Sequence, residues 1–218
     1  MRCSKCRDTA IHFQPYSGQH LCRNHFIADI EAKAKREIRR HQGIRPGDRI
    51  GVVTGYGLQE EVLLHFLQKL TRNRRDIQVV EIPGAPEEMQ VMKQARECGI
   101  TRIARAFSLE DRAAATLTAI LQGDAARCFF QTRKTPGVIP VITPFCHIPA
   151  EEIVLYARLH GISGDLSAPL QGNDPLYTDV LSLLADYSSR HPAAPHAVIN
   201  LAQSLAAVRR AGEDDRAR

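Results

Sequence analysis

An α/β fold built on a parallel sheet, with a small metal-binding module at its N-terminus, is what this 218-residue chain predicts. Three observations lead there. Short β-branched runs alternate with amphipathic helices about a dozen residues long, which is the signature of βαβ units. Cys and His crowd into the first 26 residues, where there are too few apolar side chains to make a core. The composition, 44% hydrophobic and 24% charged, is that of an ordinary globular domain and excludes fibrous, disordered and coiled-coil chains. No stretch approaches the roughly 20 apolar residues of a membrane helix, and the N-terminus lacks the apolar run of a signal peptide. The expectation is therefore a soluble, cytoplasmic protein with no membrane partner.

The elements follow in order. Residues 1–26 form the Cys/His module, and residues 27–47 a basic linker helix with Ile27, Ile30, Ala34 and Ile38 at three- and four-residue spacing, closed by Gly43 and the Arg45-Pro46-Gly47-Asp48 turn. Residues 48–211 carry the α/β domain: strands at Arg49–Thr54, Ile77–Ile82, Thr101–Ala106 and Val138–Ile142, and helices at Leu58–Leu70, Pro86–Glu97 and Leu109–Leu121. A helical C-terminal part follows. Pro149 opens its first helix and Gly161 ends it, and two more helices run near Tyr177–Arg190 and His196–Arg209. Residues 212–218 read as a frayed tail.

Six cysteines in a cytoplasmic chain stay reduced, so closely spaced pairs read as metal ligands rather than disulfides. Cys3-x-x-Cys6 and Cys22-x-x-His25 supply two such pairs, with the two-residue gaps of structural zinc knuckles. A tetrahedral zinc ion there would contribute its binding energy directly to folding. The competing reading is incidental surface thiols. His12 and His20 lie between the pairs and are read as surface residues, because neither completes a paired gap.

Charge is unevenly placed. The net charge is +5, yet residues 1–75 alone hold fifteen Lys and Arg against seven Asp and Glu, leaving the remainder net negative. Lys33, Lys35, Arg36, Arg39, Arg40, Arg45 and Arg49 follow directly on the Cys/His module. A basic run beside a zinc knuckle suits phosphate-backbone contacts, with a solvated helix face as the plain alternative.

The strand Ile50-Gly51-Val52-Val53 runs into Thr54-Gly55-Tyr56-Gly57 and a helix, the position where α/β folds rest a nucleotide phosphate on helix-terminal N–H groups. The charges oppose that use: the loop has no Lys or Arg, and Glu60 and Glu61 occupy the first helical turn. Cys98, Cys128 and Cys146 read as small core residues. Cys146-His147 is the remaining Cys/His neighbour pair, but adjacent residues on a strand face opposite ways, which argues against a nucleophile with its base. Glu110 and Asp111 read as helix-capping acids.

Taken together, Cys3-x-x-Cys6, Tyr16-Ser17-Gly18, Leu21-Cys22-x-x-His25-Phe26, the basic helix, Gly47-Asp48-Arg49-Ile50 and Val62-Leu63-Leu64-His65 resemble the start of the archaeal and eukaryotic-cytosolic tRNA 2-thiolation enzymes. These are PP-loop ATPases of the adenine nucleotide alpha-hydrolase group. The likeness resumes at Gly99-Ile100-Thr101-Arg102-Ile103-Ala104, at Leu121-Gln122-Gly123-Asp124 and at Pro140-x-x-x-Pro144 through Ile148-Pro149-x-Glu151-Glu152-x-x-Leu155-Tyr156-Ala157. It implies a Rossmann-like parallel sheet and a tRNA partner.

The departures fall on the family's functional positions. Where its PP-loop reads Ser-Gly-Gly-Lys-Asp-Ser, this chain has Gly55, Tyr56, Gly57, Leu58, Gln59 and Glu60. Its Gly-His-Asn-x-Asp-Asp becomes Ala106-Phe107-Ser108-Leu109-Glu110-Asp111, leaving Thr54, Gly55, Tyr56, Gly57 and Asp111 as the remnant of a nucleotide site. The three cysteines that hold an iron–sulfur cluster or carry sulfur in the active enzymes are missing at their usual stations, and so is the C-terminal zinc ribbon. The resemblance therefore implies zinc as the structural metal, argues against ATP and an iron–sulfur cluster, and assigns no catalytic residue. The reading is a pseudoenzyme that binds tRNA and acts as partner or regulator of an intact PP-loop thiolase, with a homodimer also admitted. The alternatives are an active ATP-dependent tRNA sulfurtransferase with a rebuilt site, and a zinc-containing nucleic-acid-binding regulator.

Overall fold

The computed structural model describes residues 1–40, 43–55, 57–84, 88–124, 139–164 and 174–216. The chain falls into two compact units, residues 1–108 with 132–172 and residues 109–131 with 173–218.

The first unit holds the sheet. Strands β3 (Arg49–Thr54), β4 (Gln78–Pro83), β5 (Arg102–Ala104) and β6 (Val141–Ile142) are all parallel, in the order β4-β3-β5-β6. They pair in register, Ile50 with Val79 on one side and Arg102 on the other, and Ala104 with Ile142. Alternating residues divide the two faces. Ile50, Val52, Ala104 and Ile142 pack against helices α1 (Arg23–Arg40), α2 (Leu58–Thr71) and α5 (Ala150–His160), with Phe26, Ile30, Leu63, Phe66, Ile153 and Tyr156 in one core. Val53, Ile82 and Ile103 face the other way, against Val91 and Ala95 of α3 (Glu88–Glu97). Strands buried on both faces explain the continuous Ile50–Val53 run, which would alternate in a one-sided sheet. Gly51 is required by this packing: a Cβ there would collide with the Ile82 side chain and crowd Ile100.

Before the sheet comes a hairpin that the periodicity does not reveal, β1 (His12–Gln14) with β2 (Gln19–Leu21), turned at Gly18 with φ 66°. Helix α1 begins at Arg23, so His25 lies in its first turn. Helix α5 starts after Pro149 and stops at Gly161, whose left-handed backbone (φ 69°) lets its N–H reach back to the last turn, as Pro and Gly at those places predict.

The second unit is helical: α4 (Leu109–Leu121), α6 (Pro175–Arg190) and α7 (Ala194–Arg216) enclose Leu109, Ala113, Ala114, Tyr177, Val180, Leu184 and Ile199. Asp174 caps α6 by accepting the Leu176 N–H at 3.0 Å. Helix α7 continues to Arg216, past the predicted end at Arg209.

Candidate functional site

Cys3, Cys6, Cys22 and His25 converge, their ligand atoms all lying within 4.8 Å of one another. The edges of the group are informative. Cys6 Sγ and Cys22 Sγ are 3.7 Å apart, and His25 Nδ1 lies 3.5 Å from Cys3 Sγ and 3.3 Å from Cys22 Sγ. Metal–sulfur and metal–nitrogen bonds of tetrahedral zinc sites imply edges of about 3.8 and 3.5 Å, so these three edges already have the lengths a tetrahedral ion requires. Local structure sets this up: the Cys3 loop is closed by its N–H on the Asp8 carbonyl at 2.9 Å, and Cys22 immediately precedes α1, which carries His25.

The thiols are polarised unequally. Burial opposes the Cys3 thiolate, but the backbone N–H groups of Cys22 and Lys5 and the Cys6 side chain outweigh it and draw the thiol down to about 6. At Cys6 the Asp8 backbone favours the thiolate, while burial and the Cys22 and Cys3 sulfurs overcome it and push the thiol up to about 12. A cation binding here displaces the protons that remain.

The module is fastened to the sheet domain by a buried polar hub. Glu152 on α5 is fully buried; its Oε1 accepts from Tyr16 Oη at 2.7 Å and Gln14 Nε2 at 3.0 Å, and His12 Nε2 lies 3.3 Å away. Lys33 Nζ sits 2.6 Å from Asp29 Oδ2 and 3.7 Å from Glu152, and donates to Tyr16 Oη at 2.6 Å. Burial, then the Glu152 carboxylate, raise the Tyr16 hydroxyl far above its ordinary range, so it stays a donor. His12 is therefore not a surface residue as expected: it joins this hub and packs edge-on against Phe26. Sequence reasoning missed Gln14, and met Tyr16 and Glu152 merely as family-motif letters.

The basic residues divide. Lys33 is turned inward and neutralised. Lys35 pairs with Glu31 at 3.2 Å. Arg36, Arg39, Arg40, Arg45 and Arg49 are exposed. Arg39 donates to the Lys35 carbonyl at 3.2 Å.

The glycine loop lies at the carboxyl end of β3. Strand order reverses there, β4 on one side and β5 on the other, which is where open α/β sheets place ligands. Thr54 is buried and its carbonyl accepts the Gly84 N–H at 2.7 Å; Gly55 has φ 103°, and Gly57 (φ 149°) precedes α2 with no side-chain cap. Tyr56 lies outside the described residues. Leu58 and Glu60, which stand at the family's Lys and Ser, are buried, Leu58 within the main core. Asp111 belongs to the second unit, where it accepts a hydrogen bond from Tyr177 Oη at 3.3 Å.

Two cysteine expectations change. Cys98 is exposed, not a core residue, because it follows the last turn of α3; Cys146 is buried, and Cys128 lies outside the described residues. Cys146 and His147 do not face opposite ways, because they sit in a turn after β6 and not in a strand; with Glu37 their ligand atoms fall within 4.8 Å.

Residues 2–27 match the model of the N-terminal LIM domain of 2-thiouridine synthetase TtuA. Over 94% of this chain the sequence is 21% identical to tRNA 2-thiolation protein NcsA of Haloferax volcanii, covering 87% of that protein. It is 23% identical to Cytoplasmic tRNA 2-thiolation protein 1 of Xenopus laevis, over 72% of this chain and 64% of the relative. The fold matches the U34-tRNA thiolase NcsA from Methanococcus maripaludis with its [4Fe-4S] cluster, at TM-score 0.80 and 15% identity, over 94% of this chain and 88% of that one. The chain is thus similar to TtuA in its N-terminal residues and to NcsA in its fold.

That structure corrects the cofactor expectation. A chain of the TtuA/NcsA fold carries a [4Fe-4S] cluster, so cysteines missing from the family's usual stations do not exclude one. Sequence comparison shows which ligands are lost but not which thiols the fold brings together, and here it gathers Cys3, Cys6 and Cys22. Among the described residues no helix is long and apolar enough to cross a membrane.

Proposed function

We propose that this TtuA/NcsA-like protein binds tRNA in the cytoplasm and acts in tRNA 2-thiolation as partner or regulator of an intact thiolase, without supplying the chemistry itself. The observation that carries this reading is a contrast within one unit. The four metal donors of residues 1–26 stand at tetrahedral spacing, while Leu58, Gln59 and Glu60 replace Lys, Asp and Ser at the phosphate loop. The metal module would order the hairpin and the start of α1, and the exposed Arg36, Arg39, Arg40, Arg45 and Arg49 would follow the phosphate backbone. In this reading residues 48–211 serve as a scaffold that keeps the thiolase shape for a partner.

A salt titration of tRNA affinity tests the RNA half. The affinity of the wild-type chain falls linearly with the logarithm of salt concentration, and Arg36→Glu or Arg39→Glu lowers that slope by about 1 each. A slope near zero, or one that neither substitution moves, removes the RNA role. Copurification from native cells tests the other half: an intact thiolase is expected with the chain, and recovery of promoter DNA in its place would point to transcriptional regulation.

A further inference from the structure

A second donor cluster lies apart from the N-terminal module. Glu37 projects from α1, and Cys146 and His147 come from the turn that follows β6, all within the first unit. Glu37 and Cys146 are 4% and 2% exposed, and His147 is half-buried. Carboxylate, thiol and imidazole donors fall within 4.8 Å of one another, with Glu37 Oε2 3.5 Å from His147 Nε2. Zinc–oxygen and zinc–nitrogen bond lengths give a tetrahedral edge of about 3.4 Å for that pair, so it needs almost no adjustment.

The charge balance favours a cation. A buried carboxylate facing a thiol and an imidazole is costly unless positive charge is brought to it. Here the Arg40 guanidinium stands in: its Nη1 lies 3.6 Å from Glu37 Oε2 and 3.4 Å from His147 Nε2, facing both donors from the third corner of a near-equilateral triangle. Arg40 is half-exposed, and its long side chain can leave for solvent without unpacking the core. A metal ion entering the same place would bond to both groups and to the sulfur, which the guanidinium cannot do.

We propose that Glu37, Cys146 and His147 form a second metal site for one divalent first-row transition cation, with Arg40 occupying the cation position when the metal is away. Three protein ligands leave the fourth tetrahedral position open, as in sites that bind a water or an external thiolate. Mixed oxygen, nitrogen and sulfur donors suit Zn²⁺, Fe²⁺ and Co²⁺ better than Mg²⁺ or Ca²⁺. A cation bound here would tie α1, which carries the exposed arginines, to the turn leading into α5.

Cobalt titration of the chelator-stripped full chain, read by visible absorption and by metal content, tests the site. Two Co²⁺ per chain are expected, one with the strong thiolate charge-transfer of three sulfurs and one with that of a single sulfur. Cys146→Ser abolishes the single-sulfur signal and leaves the other. Glu37→Gln, nearly isosteric and so safe for the fold, and His147→Ala weaken the second equivalent by at least the roughly tenfold that losing an outer-shell partner already costs. Arg40→Ala tightens it. Cys3→Ser abolishes the three-sulfur band and spares the second. One Co²⁺ per chain, or a second equivalent that Cys146→Ser and Glu37→Gln do not change, would overturn the proposal.

Discussion

The N-terminal module and the glycine loop after β3 are both short, glycine-containing stretches of the first unit, yet only the module, at residues 2–27, matches a family model. In the module every chemical position is filled, and Cys6 Sγ and Cys22 Sγ stand 3.7 Å apart. In the loop the backbone remains, with Gly55 at φ 103° before α2, but Leu58 is a core side chain and Glu60 is buried. If Cys3, Cys6, Cys22 and His25 hold a metal, its binding would contribute directly to the module's fold. The loop belongs to a sheet stabilised by packing on two faces, so its polar residues can change while the strand and helix stay.

The sharpest way to break this contrast is to remove the metal. Chelation, or Cys22→Ser, should unfold residues 1–26 while the sheet persists, because structural metal binding is worth on the order of 10 kcal/mol to such modules. Limited proteolysis should cut between Cys3 and His25 and leave the α/β core intact; a module that resists protease without metal would show that packing alone holds it. Next in size is the fastening. Glu152→Ala strips Tyr16, Gln14, His12 and Lys33 of a shared buried partner, and breaking a buried charge network of this kind costs about 3–5 kcal/mol. A thermal-melt shift no larger than that of an exposed Glu151→Ala control would place the hub's contribution elsewhere.

Leu58 tests the loop side directly. Leu58→Ala should cost about 2–5 kcal/mol, as other buried leucines do, and Leu58→Lys, which restores the family's residue, should cost at least as much because it drives a charge into the core. A neutral Leu58→Lys, measured by denaturant unfolding, would mean that the loop accommodates a lysine at this position. The smallest effect is a pH dependence. The Asp48 carboxyl is held below its ordinary value: burial works against this, but the Arg45 N–H at 2.7 Å, the Thr101 hydroxyl and Arg102 outweigh it. A depressed carboxylate stabilises the fold above its unfolded pKa, about 3.9, and that stability is lost as pH falls through the lower folded value. Asp48→Asn should therefore cost about 1.5–3 kcal/mol at pH 7 and progressively less below pH 4; a cost independent of pH would assign the effect to geometry and not to charge.

Much of this was legible in the residues. The paired gaps at Cys3/Cys6 and Cys22/His25 pick out four side chains that the fold brings together, and β-branched runs alternating with amphipathic helices give the parallel sheet. The hairpin at His12–Leu21 was not legible, since two three-residue strands of His, Gln, Phe and Leu carry no usable period. The inward turn of Lys33 escaped for a different reason: its partners Tyr16 and Glu152 come from distant parts of the chain, and a charge run reads as solvated until they are in place. Cys146 and His147 were misplaced because a strand was assumed where the chain turns, which hid their approach to Glu37 across more than a hundred residues.

The proposed contrast between the Cys/His module and the glycine loop is tested most directly by assaying 2-thiouridine in tRNA by mass spectrometry, with the purified metal-loaded chain alone, with an intact thiolase such as NcsA alone, and with both. The chain alone should form no 2-thiouridine with ATP and a sulfur donor present, and adding it should change the rate of the intact enzyme. Thiolation by the chain alone, lost on Cys146→Ala, would contradict the account and show that the loop with Leu58, Gln59 and Glu60 belongs to a working enzyme.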